Sequence, residues 1–391
     1  MSKSCPYCGN NPVPHLSTWL SESFLVASLP FDRFVTKRKS YQLAGHIVEN
    51  LILKPFFSLG KLLGIVQYND SIENIHSYRG KALWEEAVRR GMPMQSIRVF
   101  GKEIDAYEAK VGRNKKTIRF QGLPRLELKG EWIGWVDDKW LLKKRLMEAQ
   151  IPVPKGKSFS SWKPLLSFFK TLEKPVIIKP QVGSRGRHTT TFIYTEEELK
   201  KAFYIAKQLC HWVVMEEHLF GSVYRGTLVN GKLIGILGGD PPRVTGNNHS
   251  TIHELIEEKN KNKREGVKDV AITPSLEEFI SRSGCTLSTI LPAKKTIDLS
   301  EKIGVNYGGA SIELTEETHP KIKEVMEHAA KAVDDHLIGF DFIIPDVTAD
   351  PTNQKWGIIE CNSLPFINLH HYPLIGKPVN VAKYVWDLWE K

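Results

Sequence analysis

Apolar positions along this chain repeat with two different periods, and the switches between them divide it into elements. Over residues 81–90 the pairs Leu83-Trp84 and Ala87-Val88 recur four apart, which predicts a helix, and Gly91 stands where a helix stops. Residues 96–100 and 117–121 alternate as strands do. Residues 137–150 read as a basic amphipathic helix, closed by Ile151-Pro152-Val153-Pro154, whose prolines force extended backbone. Residues 175–180 predict a short buried strand ending near Lys179. Thr195 with Glu198 forms a capping box ahead of Leu199, Ala202, Phe203 and Ala206 at helical spacing.

Residues 212–216 read as another buried strand, and 223–229 and 233–237 flank Asn230-Gly231, a strong hairpin signal. Residues 257–268 are polar enough for an exposed helix end and loop. Pro320 opens a helix with Ile322, Val325, Met326, Ala329 and Val333 on its apolar face. Strands follow at 339–344 and 356–361, with a loop over 345–354 between them. Strands interleaved with helices place the chain in the α/β (α+β) class. Three regions are expected: an N-terminal extension of unclear fold (1–75), a small α/β domain (76–136), and the rest from 137.

Composition changes this picture little. The hydrophobic fraction of 41% and charged fraction of 25% are ordinary for a folded globular chain. The net charge of +10 and pI near 9.2 favour anionic partners such as a nucleotide triphosphate or an acidic metabolite. No RNA-binding aromatic motif accompanies the basic residues, so nucleic acid is not expected. Residues 1–14 do not read as a secretory signal, and 51–66 is broken by Lys54, Pro55, Gly60 and Lys61, so neither export nor a membrane span is expected. Five scattered cysteines make no disulfide framework, and a reduced, cytoplasmic protein is the expectation. Cys5-Pro6-Tyr7-Cys8-Gly9 has two readings: half a zinc ribbon, or a turn with two free thiols. No second C-x-x-C exists to complete a ribbon, and His15 and His46 stand at spacings of no standard motif.

The candidate chemistry begins at Lys179-Pro180-Gln181-Val182-Gly183-Ser184-Arg185-Gly186-Arg187, a strand-end lysine followed by glycines. Such a lysine can meet phosphate oxygens, and glycines let backbone N–H groups approach them, although most glycine loops are only turns. The segment is neither a Walker loop nor a dinucleotide fingerprint. Glu360 and Asn362 share one face of their strand by period two, and Asp341 joins them if the two last strands are neighbours. Three hard oxygen donors on one surface suit Mg²⁺; the alternative is a turn cap and a surface ion pair. Cys361 would point to the opposite face, as packing. His370-His371 is open to an acceptor-substrate role or to ordinary surface polarity.

Together the strand lysine, the glycine loop, Glu216-Glu217-His218-Leu219 and the closing Glu360-Cys361-Asn362 resemble the ATP-grasp superfamily. The likeness is greatest to the ATP-grasp module of cyanophycin synthetase-like carboxylate–amine ligases, with Val244-Thr245-Gly246-Asn247, His253-Glu254-Leu255-Ile256, Tyr307-Gly308-Gly309-Ala310 and Thr318-His319-Pro320 in order. It runs from about residue 138 to the C-terminus, whereas the first 135 residues do not resemble the N-terminal region of those enzymes. The resemblance implies two α/β lobes (137–215 and 216–391) with ATP between them.

It further implies that Lys143 (with Lys139 and Lys144 as neighbours) and Lys179 hold ATP phosphates, and that Gly183, Ser184 and Gly186 form the loop closing over them. Glu216 would accept from the adenine amino group, and the backbone at Glu217 and Leu219 would read the ring edge. Asp341, Glu360 and Asn362 would bind Mg²⁺, with Mn²⁺ able to substitute, and Arg225 would stand near the γ-phosphate and the reacting carboxylate, so that Arg225 and Lys179 carry the catalytic roles.

The implied activity is ATP-dependent joining of a carboxylate to an amine through an acylphosphate, releasing ADP and phosphate, on small-molecule or peptide substrates; a homo-oligomer is allowed. The alternatives are an ATP-grasp kinase acting on a hydroxyl and a non-catalytic nucleotide-binding module. Three departures stand out: Val223 replaces an acidic ribose contact, Ser363-Leu364-Pro365-Phe366 replaces a small-residue-Pro-Gly turn, and Asn368 stands near an expected arginine.

Overall fold

The computed structural model describes residues 5–8, 12–35, 54–75, 77–126, 134–183, 186–300 and 304–390. Three antiparallel sheets organise them. In the first, β1 (Val66–Asn69), β2 (Met94–Val99), β3 (Lys102–Val111) and β4 (Lys116–Gln121) run as a meander in that order. Helix Tyr78–Arg89 covers it, buries Leu83 and Trp84, and meets the C-terminal helix Val381–Asp387. The Trp386 indole N–H donates to the Leu83 carbonyl at 3.0 Å, satisfying the polar tip of a fully buried ring. This core also takes in Val229 and Leu337 of the third sheet, so the meander is fixed to the C-terminal half.

The second sheet orders β5 (Gly156–Phe159), β8 (Val213–Glu217), β6 (Val176–Pro180) and β7 (Thr190–Ile193). Helices Trp162–Phe169 and Glu196–Lys207 fill its apolar side with Leu165, Phe169, Leu199 and Phe203. The predicted capping box is present: Glu198 N–H donates to Thr195 and Thr195 N–H to the Glu198 carboxylate.

The third sheet uses β9 (Ser222–Val229), β10 (Lys232–Asp240), β13 (Ala310–Glu313), β14 (Leu337–Ile344) and β15 (Gly357–Asn362), in the order β13-β10-β9-β14-β15. The β9–β10 hairpin turns at Asn230 and Gly231, both with positive φ (51° and 73°), as a twisted two-residue turn requires. Helix Pro320–Val333 packs its predicted stripe against this sheet. A small ribbon, β11 (Arg243–Thr245) with β12 (Thr296–Asp298), stands beside helix Ile252–Lys261.

Several elements escape the periodicity reading, β3 and helix His15–Val35 among them. β3 alternates only weakly because its first half is largely exposed, and helix His15–Val35 leaves Leu16, Leu20 and Phe24 facing outward. Among the described residues no helix is long and apolar enough to cross a membrane.

Candidate active site

Two charge clusters, one on the second sheet and one on the third, face each other. The first starts at helix Lys139–Glu148, whose buried positions are Lys139, Leu142, Lys143 and Leu146. That is one ridge at i, i+3, i+4 and i+7, so two ammonium groups enter the interior on the stripe that carries two leucines. Asp138 caps the helix by accepting from the Trp140 and Leu141 N–H groups, both at 2.9 Å. Its second oxygen accepts from Gln181 Nε2 at 2.7 Å, which ties the helix start to the end of β6.

Lys143 Nζ lies 3.1 Å from Glu216 Oε1, and Lys179 Nζ lies 2.8 Å from Oε2. On β6 and β8, Ile177 pairs with Glu216, so Lys179 is its diagonal neighbour on the same face. Gly156 of β5 stands opposite Glu216; a Cβ there would sit 2.6 Å from Glu216 Cγ, so the absent side chain makes room for the carboxylate. Burial alone would raise the Glu216 carboxyl, but the two ammoniums reverse this and hold it below its ordinary value. Lys143 moves the other way: burial outweighs its carboxylate partner and pushes the ammonium down. Lys139 and Lys143 are both buried and Lys144 is exposed.

The second cluster spans three adjacent strands. Asp341 of β14 is the register partner of Arg225 on β9 and of Glu360 on β15. Arg225 donates from Nε and Nη2 to the two Asp341 oxygens, each at 2.6 Å, a fork-to-fork pair. Asn362 Nδ2 donates to Asp341 Oδ2 at 3.3 Å. Burial raises the Glu360 carboxyl above its usual range, and the Asp341 charge adds to this against the pull of Lys139. Asp341, Glu360 and the Asn362 amide oxygen are hard donors on neighbouring strands, a set that fits an oxygen-seeking dication. A carboxylate has about four acceptor positions, so the Arg225 fork leaves Asp341 capacity for an ion. Cys361, between two of these residues, is buried in the core behind the sheet, as period two requires.

Lysines of the first cluster reach the second. Lys139 Nζ is 3.9 Å from Glu360 Oε2 and donates to the Gly183 carbonyl at 2.6 Å, while Lys179 Nζ is 3.5 Å from the Ile359 carbonyl. Gly183 and Gly186 both have positive φ (109° and 60°), and Ser184 between them lies outside the described residues. Leu219 is buried at the end of the segment leaving β8. The Glu217 N–H donates to the Lys155 carbonyl at 2.8 Å, so a ligand contact there would fall to its carbonyl. Val223 lies near the start of β9, opposite Ile343.

The closing motif is held by Asp137, which accepts from Ser363 Oγ at 3.0 Å, and the Phe366 ring sits 5.9 Å from both the Arg79 and Arg225 guanidiniums. His370 is no surface histidine: it is fully buried, 2.6 Å from Glu313 and 2.8 Å from Thr227 Oγ1. His371 accepts from the Ala382 N–H at 3.0 Å, and burial pushes its pKa down to about 4. Asp137, Asp138 and Gln181 are not among the site residues that the resemblance implies, and Lys139 enters there only as a neighbour of Lys143. Their signal was in the helix, where a lysine pair occupies the apolar ridge behind an aspartate cap.

No family model matches the chain. Among curated proteins it is 30% identical over 262 residues to the glutathione biosynthesis bifunctional protein GshAB of Clostridium perfringens, matching 65% of this chain and 34% of that protein. It is 31% identical over 260 residues to cyanophycin synthetase of Geminocystis herdmanii, matching 64% of this chain and 30% of that protein. The chain thus spans about a third of the length of these relatives. Among solved structures, a bifunctional glutathione synthetase from Pasteurella multocida superposes with a TM-score of 0.57 at 24% identity, over 81% of this chain and 44% of that one. The chain thus shares the fold of that synthetase and, over about two thirds of its own length, is similar in sequence to cyanophycin synthetase and GshAB, in line with the resemblance its motifs carry to cyanophycin synthetase-like ATP-grasp ligases.

Proposed function

We propose that the chain is an ATP-dependent carboxylate–amine ligase, forming an amide or peptide bond through an acylphosphate and releasing ADP and phosphate. The observation that carries this reading is the meeting of Lys139, Lys143 and Lys179 from one side with Asp341 and Glu360 from the other. Cations that grip phosphate oxygens then stand beside carboxylates that take a phosphate-bound dication. A relative named cyanophycin synthetase favours ligation over phosphorylation of a hydroxyl or a purely binding role.

Lys143 and Lys179 would exchange part of their hold on Glu216 for phosphate oxygens, and Lys139 holds the Gly183 end of the loop closing over them. Glu216 would accept from the adenine amino group, with the Glu217 carbonyl and the Leu219 N–H at the ring edge. Asp341, Glu360 and Asn362 would hold Mg²⁺, which when bound neutralises charge on the phosphates. Arg225, fixed by its fork onto Asp341, would stabilise oxyanion charge on the reacting carboxyl group. Phe366, against Arg225, would line the acceptor side. A reduced cytoplasmic setting accords with five free thiols.

Hydroxylamine trapping separates ligase from kinase. Incubation with Mg-ATP, candidate carboxylates and hydroxylamine in place of the amine yields a hydroxamate if an acylphosphate forms. A stable phosphorylated product with no hydroxamate would identify a kinase instead.

A further inference from the structure

Four metal-ligating side chains that the ligase chemistry does not use come together at the N-terminus. Cys5 Sγ, Cys8 Sγ, a His15 ring nitrogen and a His188 ring nitrogen all lie within 4.8 Å of one another. His188 Nε2 is 3.5 Å from Cys5 Sγ and 3.4 Å from Cys8 Sγ, and His15 Nε2 is 3.4 Å from Cys8 Sγ. Zinc bound at about 2.3 Å to sulfur and about 2.0 Å to nitrogen gives a tetrahedron with sulfur–nitrogen edges of roughly 3.5 Å. The observed separations are those edges.

Hydrogen bonding alone does not account for the cluster. The His188 Nδ1 lies 2.8 Å from the Ile205 carbonyl, which only an N–H can satisfy, so Nδ1 carries the proton and Nε2 presents its single lone pair. Two thiols crowd that one lone pair, whereas a cation at the centre uses it and both sulfurs at once. A carbonyl behind the imidazole is also the outer partner that metal-bound histidines commonly have. The cysteine turn is built for the purpose: Cys8 N–H donates to the Cys5 carbonyl at 3.2 Å, and His188 N–H to the Tyr7 carbonyl at 3.0 Å. Cys8 and His188 are buried and Cys5 carries no disulfide.

We infer that Cys5, Cys8, His15 and His188 form a structural zinc site that staples the N-terminal segment to the base of the glycine loop. All four tetrahedral positions are taken by protein, leaving none for water or substrate, as in structural zinc sites. The ligands come from two segments about 180 residues apart, and His188 follows Gly186 by two residues. The ion therefore fixes the C-terminal root of the segment that begins at Lys179 and Gly183. A second contact, the His211 N–H donating to Ser23 Oγ at 2.9 Å, keeps helix His15–Val35 on the same lobe.

The test needs no nucleotide and is independent of the ligase reading. Protein made without a histidine tag should carry stoichiometric zinc by elemental analysis. Cobalt(II) should replace it and give thiolate charge-transfer bands with the visible bands of tetrahedral coordination. C8S and H188Q should lose the metal, and a strong zinc chelator should lower the melting temperature of the wild type but not of C8S. H15N and C5S, on less buried ligands, serve where C8S fails to fold, and should bind cobalt at least about tenfold more weakly. Reduced wild-type protein that takes up neither zinc nor cobalt would overturn the inference, as would full zinc content in folded C8S or an H15N cobalt affinity equal to that of the wild type.

Discussion

The hard-oxygen group at Asp341, Glu360 and Asn362 and the sulfur–nitrogen group at Cys5, Cys8, His15 and His188 are both suited to a cation by donor chemistry, yet they are built oppositely. The first rests on adjacent strands whose ladder pairs Asp341 with Glu360 directly, so the fold positions it before any ion arrives. It faces lysines and leaves coordination open for phosphate and water, as an exchangeable magnesium ion needs. The second joins segments that no ladder connects, and closes around its ion with protein ligands alone. Scaffolded donors serve chemistry; donors gathered from afar serve cohesion.

The largest effect should come from breaking the first group alone. E360Q and D341N keep the side-chain shape and remove charge, so turnover should fall by at least about a hundredfold while zinc content stays unchanged. A parallel loss of zinc would mean that the two groups are not independent. E216A comes next, because it strands two buried ammoniums. It should lower stability by about 3 kcal/mol or more in urea unfolding, and E216A combined with K179M should cost less than the sum of the two single changes.

Acid gives a smaller effect away from both groups. His371 is held neutral with a pKa of about 4 against an ordinary 6.5, so its contribution is complete above pH 6.5 and is lost as pH falls toward 4. On the order of 2 kcal/mol should disappear across that window, and H371Q should flatten this part of the stability profile. F366A should be the mildest change. It removes one ring face from Arg225, worth about 1 kcal/mol, and should raise the acceptor KM a few-fold with the ATP KM unmoved.

What could be read in the sequence follows the same division. Asp341, Glu360 and Asn362 were legible because strand period and one assumed neighbour pair suffice to bring them together, and β14 and β15 are neighbours. The Lys179 strand, the Thr195 capping box and the Asn230-Gly231 hairpin were legible because each is a local signal. His188 was not, since nothing local marks a histidine after a glycine loop as the partner of a C-x-x-C far upstream. The two-thiol reading of that motif therefore missed its surroundings, while His46, the other candidate ligand, lies outside the described residues. His370 was misjudged for a related reason: its partners Glu313 and Thr227 come from other strands of the third sheet. Lys139 was named only as a neighbour of Lys143, although a lysine on an apolar ridge needs a buried partner and so marks itself.

The most direct test of the ligase reading is ADP and phosphate release from Mg-ATP against pooled amino acids and short peptides, with E360Q alongside. The account predicts release that requires both a carboxylate and an amine and vanishes in E360Q. Release that proceeds without an amine, or that survives in E360Q, would contradict it.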